Sequence, residues 1–338
     1  MTDAVRVAIV GMGFMGDKYA RVMRGLSEAE LVGVCDVDPS RARTAAETFG
    51  APSFATTEEA LEQTKPHLLC VCGPEDHHLD PCLLALERGV GVLVEKPLAT
   101  TVEDGQRLCD AAARSGALLS VGHLLRYDTR YSGAKDAVDA GATGAVQSLH
   151  ARRWNTRSAQ SRLKGRSSLP LFLGVHDYDI VRWFARSEPV RVYAESRSGV
   201  LSAEGYAVED TTIALISFAN DVVAVVEEGW IMPEGHPSGF DQRLDVLGAS
   251  GMVSVSGGYG GLTVIDDLRE QWPDTMLWPA VAGGGVTGAL ERELRHVVGC
   301  VAGGRQPLVG GEDGLAALRI ALAVEESART KTPVTMPQ

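Results

Sequence analysis

The stretch that most restricts the fold is Val5-Arg-Val-Ala-Ile-Val10, followed without a break by Gly11-Met-Gly-Phe-Met-Gly16. An apolar run of that length reads as a buried strand, and a helical pattern opens at Phe14. A GxGxxG string alone is weak, but here it follows a strand, opens a helix and is answered by an acid. Gly11 permits a tight turn, Gly13 lets backbone approach a pyrophosphate, and Gly16 allows close helix–strand packing. The N–H groups near Phe14 and Met15, with the helix dipole, suit an anion. The second strand, Leu31 to Asp36, ends in that acid twenty residues after Gly16. Asp36 is the candidate acceptor for adenosine ribose hydroxyls, and its charge disfavours a 2′-phosphate. NAD is therefore expected over NADP, although Arg41 and Arg43 lie near enough to keep NADP open.

The alternation continues through Leu68–Cys72, a helix to about Arg88, Gly91–Glu95, a helix over Thr101–Ser115, and Ala117–Val121. Strands alternating with helices predict a parallel, doubly wound sheet. In such a sheet ligands bind at the carboxyl ends of the strands. Two further turns leave that edge: Gly73-Pro74 leading to His78, and Glu95-Lys96-Pro97. Lys96, held by a proline beside a carboxylate, is placed to touch a substrate. His78 is expected near the cofactor, and His77 at the surface.

After Val121 the pattern changes. A helix is predicted over Tyr127–Ala140 and a strand over Ala145–Asn155, with Arg152, Arg153 and Trp154 near its end. Thr156 to Leu169, with Arg157, Arg162, Lys164 and Arg166 among serines, reads as a basic loop suited to an anionic substrate. Leu171 to Phe184 reads as one amphipathic helix, placing His176 and Asp179 on one face. Val190 to Val255 supplies long strands without helices between them, so this sheet is expected to be mostly antiparallel. Closing helices are predicted over Thr287–Ala302 and Glu312–Arg329.

With 338 residues, two domains are the default. A net charge of −12 argues against a nucleic-acid partner, and no segment approaches the roughly 20 apolar residues of a membrane span. Residues 1–6 show no export signal. The six cysteines fit buried, reduced thiols in the cytoplasm, and Cys72, His77, His78 and Cys82 match no common zinc spacing, so no metal is expected.

Gly11–Gly16, Glu95-Lys96-Pro97 and the His176–Asp179 helix, in that order, resemble the Gfo/Idh/MocA family, named for glucose–fructose oxidoreductase, inositol dehydrogenase and a rhizopine-catabolism protein. The resemblance covers nearly the whole length, including Gly303-Gly-Arg-Gln-Pro and Gly310-Gly-Glu-Asp-Gly. It implies α/β architecture: an NAD(P)-binding Rossmann domain over residues 1–122, then an α+β domain over 123–338 with an open, mostly antiparallel sheet. In that arrangement the last helices are free to pack back on the first domain. It also implies a homodimer or homotetramer, and hydride transfer at a secondary alcohol of a sugar, cyclitol or nucleotide-sugar. Lys96 matches the family's catalytic lysine and His176 its acid/base histidine, while Asn155 falls near a position that often contacts substrate hydroxyls. Pro74 and His78 resemble its cofactor turn, with Glu75 where asparagine is usual. Phe172 stands where many members carry an aspartate one helical turn before the histidine, with Asp177 and Asp179 the available substitutes. Two alternatives follow from the same scaffold: a glycosidase working by transient oxidation and elimination, and a catalytically silent NAD-binding regulator.

Overall fold

The computed structural model describes residues 4–337, so residues 1–3 of the stretch read for an export signal lie outside it. Two compact units form: residues through Tyr127 together with Leu277–Leu315, and Asp128–Met276 together with residues from Ala316 onward. The first therefore runs slightly past the expected boundary at 122 and takes in a returning segment.

The first unit opens with β1 (Val5–Val10), α1 (Phe14–Gly25), β2 (Ala29–Cys35), α2 (Pro39–Phe49), β3 (Ser53–Phe54) and α3 (Thr57–Thr64). It continues with β4 (Leu68–Val71), α4 (Leu79–Leu86), β5 (Gly91–Val94), α5 (Val102–Ser115) and β6 (Leu119–Val121). The helices start and stop where cap chemistry dictates. Asp38 accepts from the Ser40 N–H ahead of α2, Thr101 accepts from the Asp104 N–H ahead of α5, and Gly50 and Gly116 end them at positive φ. All strand pairs are parallel, in the order β3-β2-β1-β4-β5-β6. Strand order reverses between β1 and β4, so the crevice for a ligand opens beyond the carboxyl ends of these two strands.

The second unit contains α6 (Thr129–Asp139), β7 (Val146–Thr156), α7 (Ser158–Leu163), a π turn over Pro170–Gly174, α8 (Val175–Ala185), β8 (Pro189–Arg197) and α9 (Val200–Ala203). Then come β9 (Thr211–Phe218), β10 (Val223–Met232), β11 (Phe240–Gly248), β12 (Met252–Val255), and the short pair β13 (Val264–Ile265) and β14 (Glu270–Gln271). The chain next forms α10 (Ala289–Gly303) in the first unit, α11 (Gly311–Thr330), and finally β15 (Val334–Thr335).

The second sheet runs β12-β11-β7-β10-β9-β8-β15. It is antiparallel except where β7 lies parallel to β10. Strict alternation along β9 buries Thr212, Ala214, Ile216 and Phe218 and leaves Ile213 and Leu215 exposed.

Two expectations need correction. The stretch 156–169 is not a plain loop: it holds α7, and its Leu163 and Leu169 pack with Leu173, Leu201, Val208 and Trp230. Two leucines among so many polar residues give too weak a period to announce a helix. Nor does one α-helix run from Leu171 to Phe184, because its first turn is wound as π. No helix among the described residues is long and apolar enough to cross a membrane.

Candidate active site

In the first unit the glycine loop is shaped by contacts that exclude larger side chains. Gly11 has φ +89°, and a Cβ there would stand 2.5 Å from the Gly73 nitrogen. A Cβ on Gly16 would stand 2.0 Å from the Gly11 oxygen. Gly13, by contrast, has nothing within 4 Å of such an atom. It is also the N-cap of α1 and offers no side-chain cap. The first-turn N–H groups at Phe14, Met15 and Gly16 thus lead an uncapped helix end beside open space, as a pyrophosphate requires.

Asp36 follows β2 and is buried. Its Oδ2 accepts from the Met12 N–H at 2.7 Å and its Oδ1 from the Asp38 N–H at 2.8 Å. The carboxylate is therefore fixed between glycine loop and turn, and each oxygen keeps a lone pair for a ribose hydroxyl. The residues fit a dinucleotide.

Around Lys96 the sequence motif turns out to be braced. Lys96 is half-buried and leaves β5 directly before Pro97, through a cis peptide. Glu95 is buried. Its Oε1 accepts from the Tyr19 hydroxyl at 2.9 Å, and its Oε2 accepts from the Lys96 N–H at 3.2 Å. Burial raises the Glu95 carboxyl above its usual range, against the opposing pull of Lys96 and Tyr19. Tyr19, on α1, carries no sequence signal of this role, because a tyrosine on a helix facing the sheet reads as core. Its three-residue spacing from Gly16 does place it on the sheet-facing side.

His78 directly precedes α4. It is 1% exposed, and its two ring nitrogens lie 2.9 Å from the Pro97 oxygen and 3.0 Å from the Gly73 oxygen. The imidazole ties the Gly73-Pro74 turn to the Lys96 loop. Burial lowers its pKa despite both carbonyl contacts, and a neutral ring donates to only one of them.

In the second unit His176 is half-buried on the first turn of α8, and Asn155 is half-buried near the end of β7, opposite Phe240. Asp177 is not available to His176 as a free carboxylate. It is fully buried and binds Arg153, Nε to Oδ2 at 2.5 Å and Nη2 to Oδ1 at 3.2 Å. Asp179 is 1% exposed. The Phe172 ring packs against Trp230 with centroids 6.3 Å apart, so this turn carries an apolar contact in place of an acceptor. The period-two pattern does carry a signal for Arg153: it has the inward parity of Leu149 and Ala151.

A family model described as an oxidoreductase family with an NAD-binding Rossmann fold matches residues 5–123, and the GFO/IDH/MocA C-terminal domain model matches residues 131–254. The chain is 26% identical over 353 residues to the scyllo-inositol 2-dehydrogenase (NAD(+)) of Bacillus subtilis, covering 99% of this chain and 97% of that protein. It is 28% identical over 334 residues to inositol 2-dehydrogenase 3 of Saccharopolyspora erythraea, covering 96% and 93%. In fold it matches the crystal structure of scyllo-inositol dehydrogenase from Lactobacillus casei with bound NAD(H) and scyllo-inositol, at TM-score 0.85 and 20% identity over 98% and 99% of the two chains. The glycine loop, the fixed Asp36 and the two matched domains make this chain a member of the GFO/IDH/MocA oxidoreductase family.

Proposed function

We propose that the protein is an NAD-dependent dehydrogenase of a cyclitol, oxidising a ring CH–OH to the ketone, with an inositol as the first substrate to test. Its full-length likeness to two inositol 2-dehydrogenases is the observation that carries this reading. NAD supplies the hydride acceptor when bound. The glycine loop and the α1 N-terminus hold its pyrophosphate, and Asp36 takes the adenosine ribose. Gly73 and Pro74 line the same edge, drawn toward Lys96 by His78.

Hydride leaves a carbinol carbon as the hydroxyl proton is removed. His176 takes that proton, its unperturbed range being near neutral. Lys96 steadies the developing alkoxide with its charge. Asn155 contributes a hydrogen bond to a neighbouring hydroxyl, and buried Asp179 supports the histidine helix. Neither Asp179 nor Asp177 is needed as a proton acceptor in this scheme.

Incubating the protein with NAD and a panel of inositols, sugars and nucleotide-sugars should give stoichiometric NADH with at least one cyclitol. Sugar cleavage without free NADH would instead favour the glycosidase, and NAD binding without turnover on any of them would favour the regulator.

The outer face of the second sheet supports self-association. Ile213, Leu215, Val223, Leu247 and Met252 are exposed on four of its strands, more large apolar side chains than one solvated sheet face usually shows. We propose a homodimer or homotetramer through this face, and a sedimenting monomer at micromolar concentration would refute it. Six buried free thiols fit a reducing compartment, and we place the protein in the cytoplasm.

A further inference from the structure

Behind α8 a line of polar side chains crosses the second sheet. Strand register sets Gln242 of β11 opposite Arg153 of β7, Arg153 opposite Glu228 of β10, and Glu228 opposite Thr212 of β9. All four are buried. A row of this kind inside a core is costly unless its members are matched, and two of its members reach the helix that carries His176.

Arg153 grips the helix at Asp177, through the two bonds given above, while its Nη1 donates to Gln242 Oε1 at 2.9 Å. Glu228 grips it one turn earlier. It has no exposed surface, and its carboxyl lies against Gly174, where a Cβ would stand 2.2 Å from Oε1 and 2.5 Å from Cδ. A methyl added at position 174 would have to push the carboxyl aside. Gly174 closes the π turn, and His176 lies between these two points of attachment. Phe172, on the preceding turn, packs into the apolar cluster against Trp230.

We propose that Glu228 is a positioning residue for His176, its buried carboxyl wedging the turn at Gly174 from which the histidine projects. The role of His176 in this proposal rests on the function proposed above. The groups facing Glu228 are Tyr178 and Asp177 from α8, Arg153 from β7, and Glu209 ahead of β9. Burial, with Asp177 and Glu209, raises the Glu228 carboxyl well above its usual range, against Tyr178 and Arg153. Neither oxygen meets hydrogen-bond geometry with another described residue. Glutamine, a neutral side chain of the same shape, should replace it; alanine should not.

The test compares Glu228→Gln, Glu228→Ala and the double variant Gly174→Ala/Glu228→Ala with the unmodified protein. The His176 imidazole is followed by NMR through pH, its resonance assigned with His176→Ala, and turnover is measured on the cyclitol that the substrate screen identifies. Glu228→Gln should keep the His176 resonance and titration and hold kcat within about twofold, as a shape-conserving change does. Glu228→Ala should move both the resonance and its titration and lower kcat about 10- to 100-fold with NAD affinity unchanged, the cost of a misplaced base. Gly174→Ala alone should be as impaired, and the double variant should regain activity, since the added methyl then fills vacated space. If Glu228→Ala does not fold, Glu228→Val, which is too short to reach Gly174, takes its place and should move the resonance likewise. A His176 resonance and titration untouched in the shortened variant overturns the proposal, whatever happens to stability. Failure of the unmodified protein to oxidise any substrate would sink the proposed function instead, and the resonance would still decide the role of Glu228.

Discussion

Replacing Glu293 by glutamine should change how steeply the stability of the first unit depends on pH, as well as its level. Glu293 lies on α10 with 1% of its surface exposed, and neither carboxyl oxygen is hydrogen-bonded to a described residue. Burial first, and then the charge of Glu95, raise its pKa well above the usual carboxylate range. In the unfolded chain the same group ionises near pH 4.3. Between these limits the folded state holds a proton that the unfolded state has released. Stability is then fully present below the unfolded pKa and falls as pH rises toward the folded one. One such group contributes a slope of about 1.4 kcal/mol per pH unit across that window. Glutamine cannot ionise, so the stability of the variant should fall less steeply by about that amount per unit. Urea titrations from about pH 5 upward, read by hydrogen exchange of β1 and α10 amides, report this unit alone. Parallel pH curves for the two proteins would show that Glu293 is ionised in the fold and that the reasoning is wrong.

Asp36→Ala should weaken NAD binding and narrow its advantage over NADP in fluorescence titrations; equal affinity for both in the unmodified protein would refute the role of Asp36. Lys96→Met and His176→Ala should each lower kcat about 10²–10⁴-fold with NAD affinity nearly unchanged, and the double variant should lose far less than the product. A His176→Ala enzyme with the original rate and pH profile would leave His176 as packing only. Asp177→Ala should cost about 3–5 kcal/mol in urea unfolding, because Arg153 is then left charged and buried alone; a loss below about 1 kcal/mol would mean the pair is solvated.

Much of the first unit was legible because its chemistry is local. A strand, a glycine loop and a helix follow one another within Val5–Gly25, and Lys96 announces itself by ending a strand beside a proline. The environment of those residues was not legible. Nothing local says that both ring nitrogens of His78 meet backbone carbonyls, since Pro97 lies nineteen residues away. Nor could Asp177 be assigned before the register brought Arg153 beneath it. The parity of Ala224, Val226 and Glu228 along β10 does point Glu228 inward, but only the pairing of β10 with β7 and the glycine at 174 give that carboxyl a neighbour. The π turn at Pro170–Gly174 has no sequence period to betray it.

The return of the chain to the first unit has a consequence for its synthesis. Val286, Leu290, Leu294, Val297 and Val298 pack into the same core as Val7, Ile9, Tyr19 and Met23. A nascent chain that has emerged only through Tyr127 therefore carries the glycine loop, Asp36 and Lys96 with one wall of their core missing. At about 5–20 residues per second, the roughly 160 residues before α10 take on the order of 10–30 s to make. During that interval the apolar faces of α1 and β1 wait on the ribosome for α10, and chaperones have their opening there. The nucleotide-binding unit, first to be encoded, is completed late.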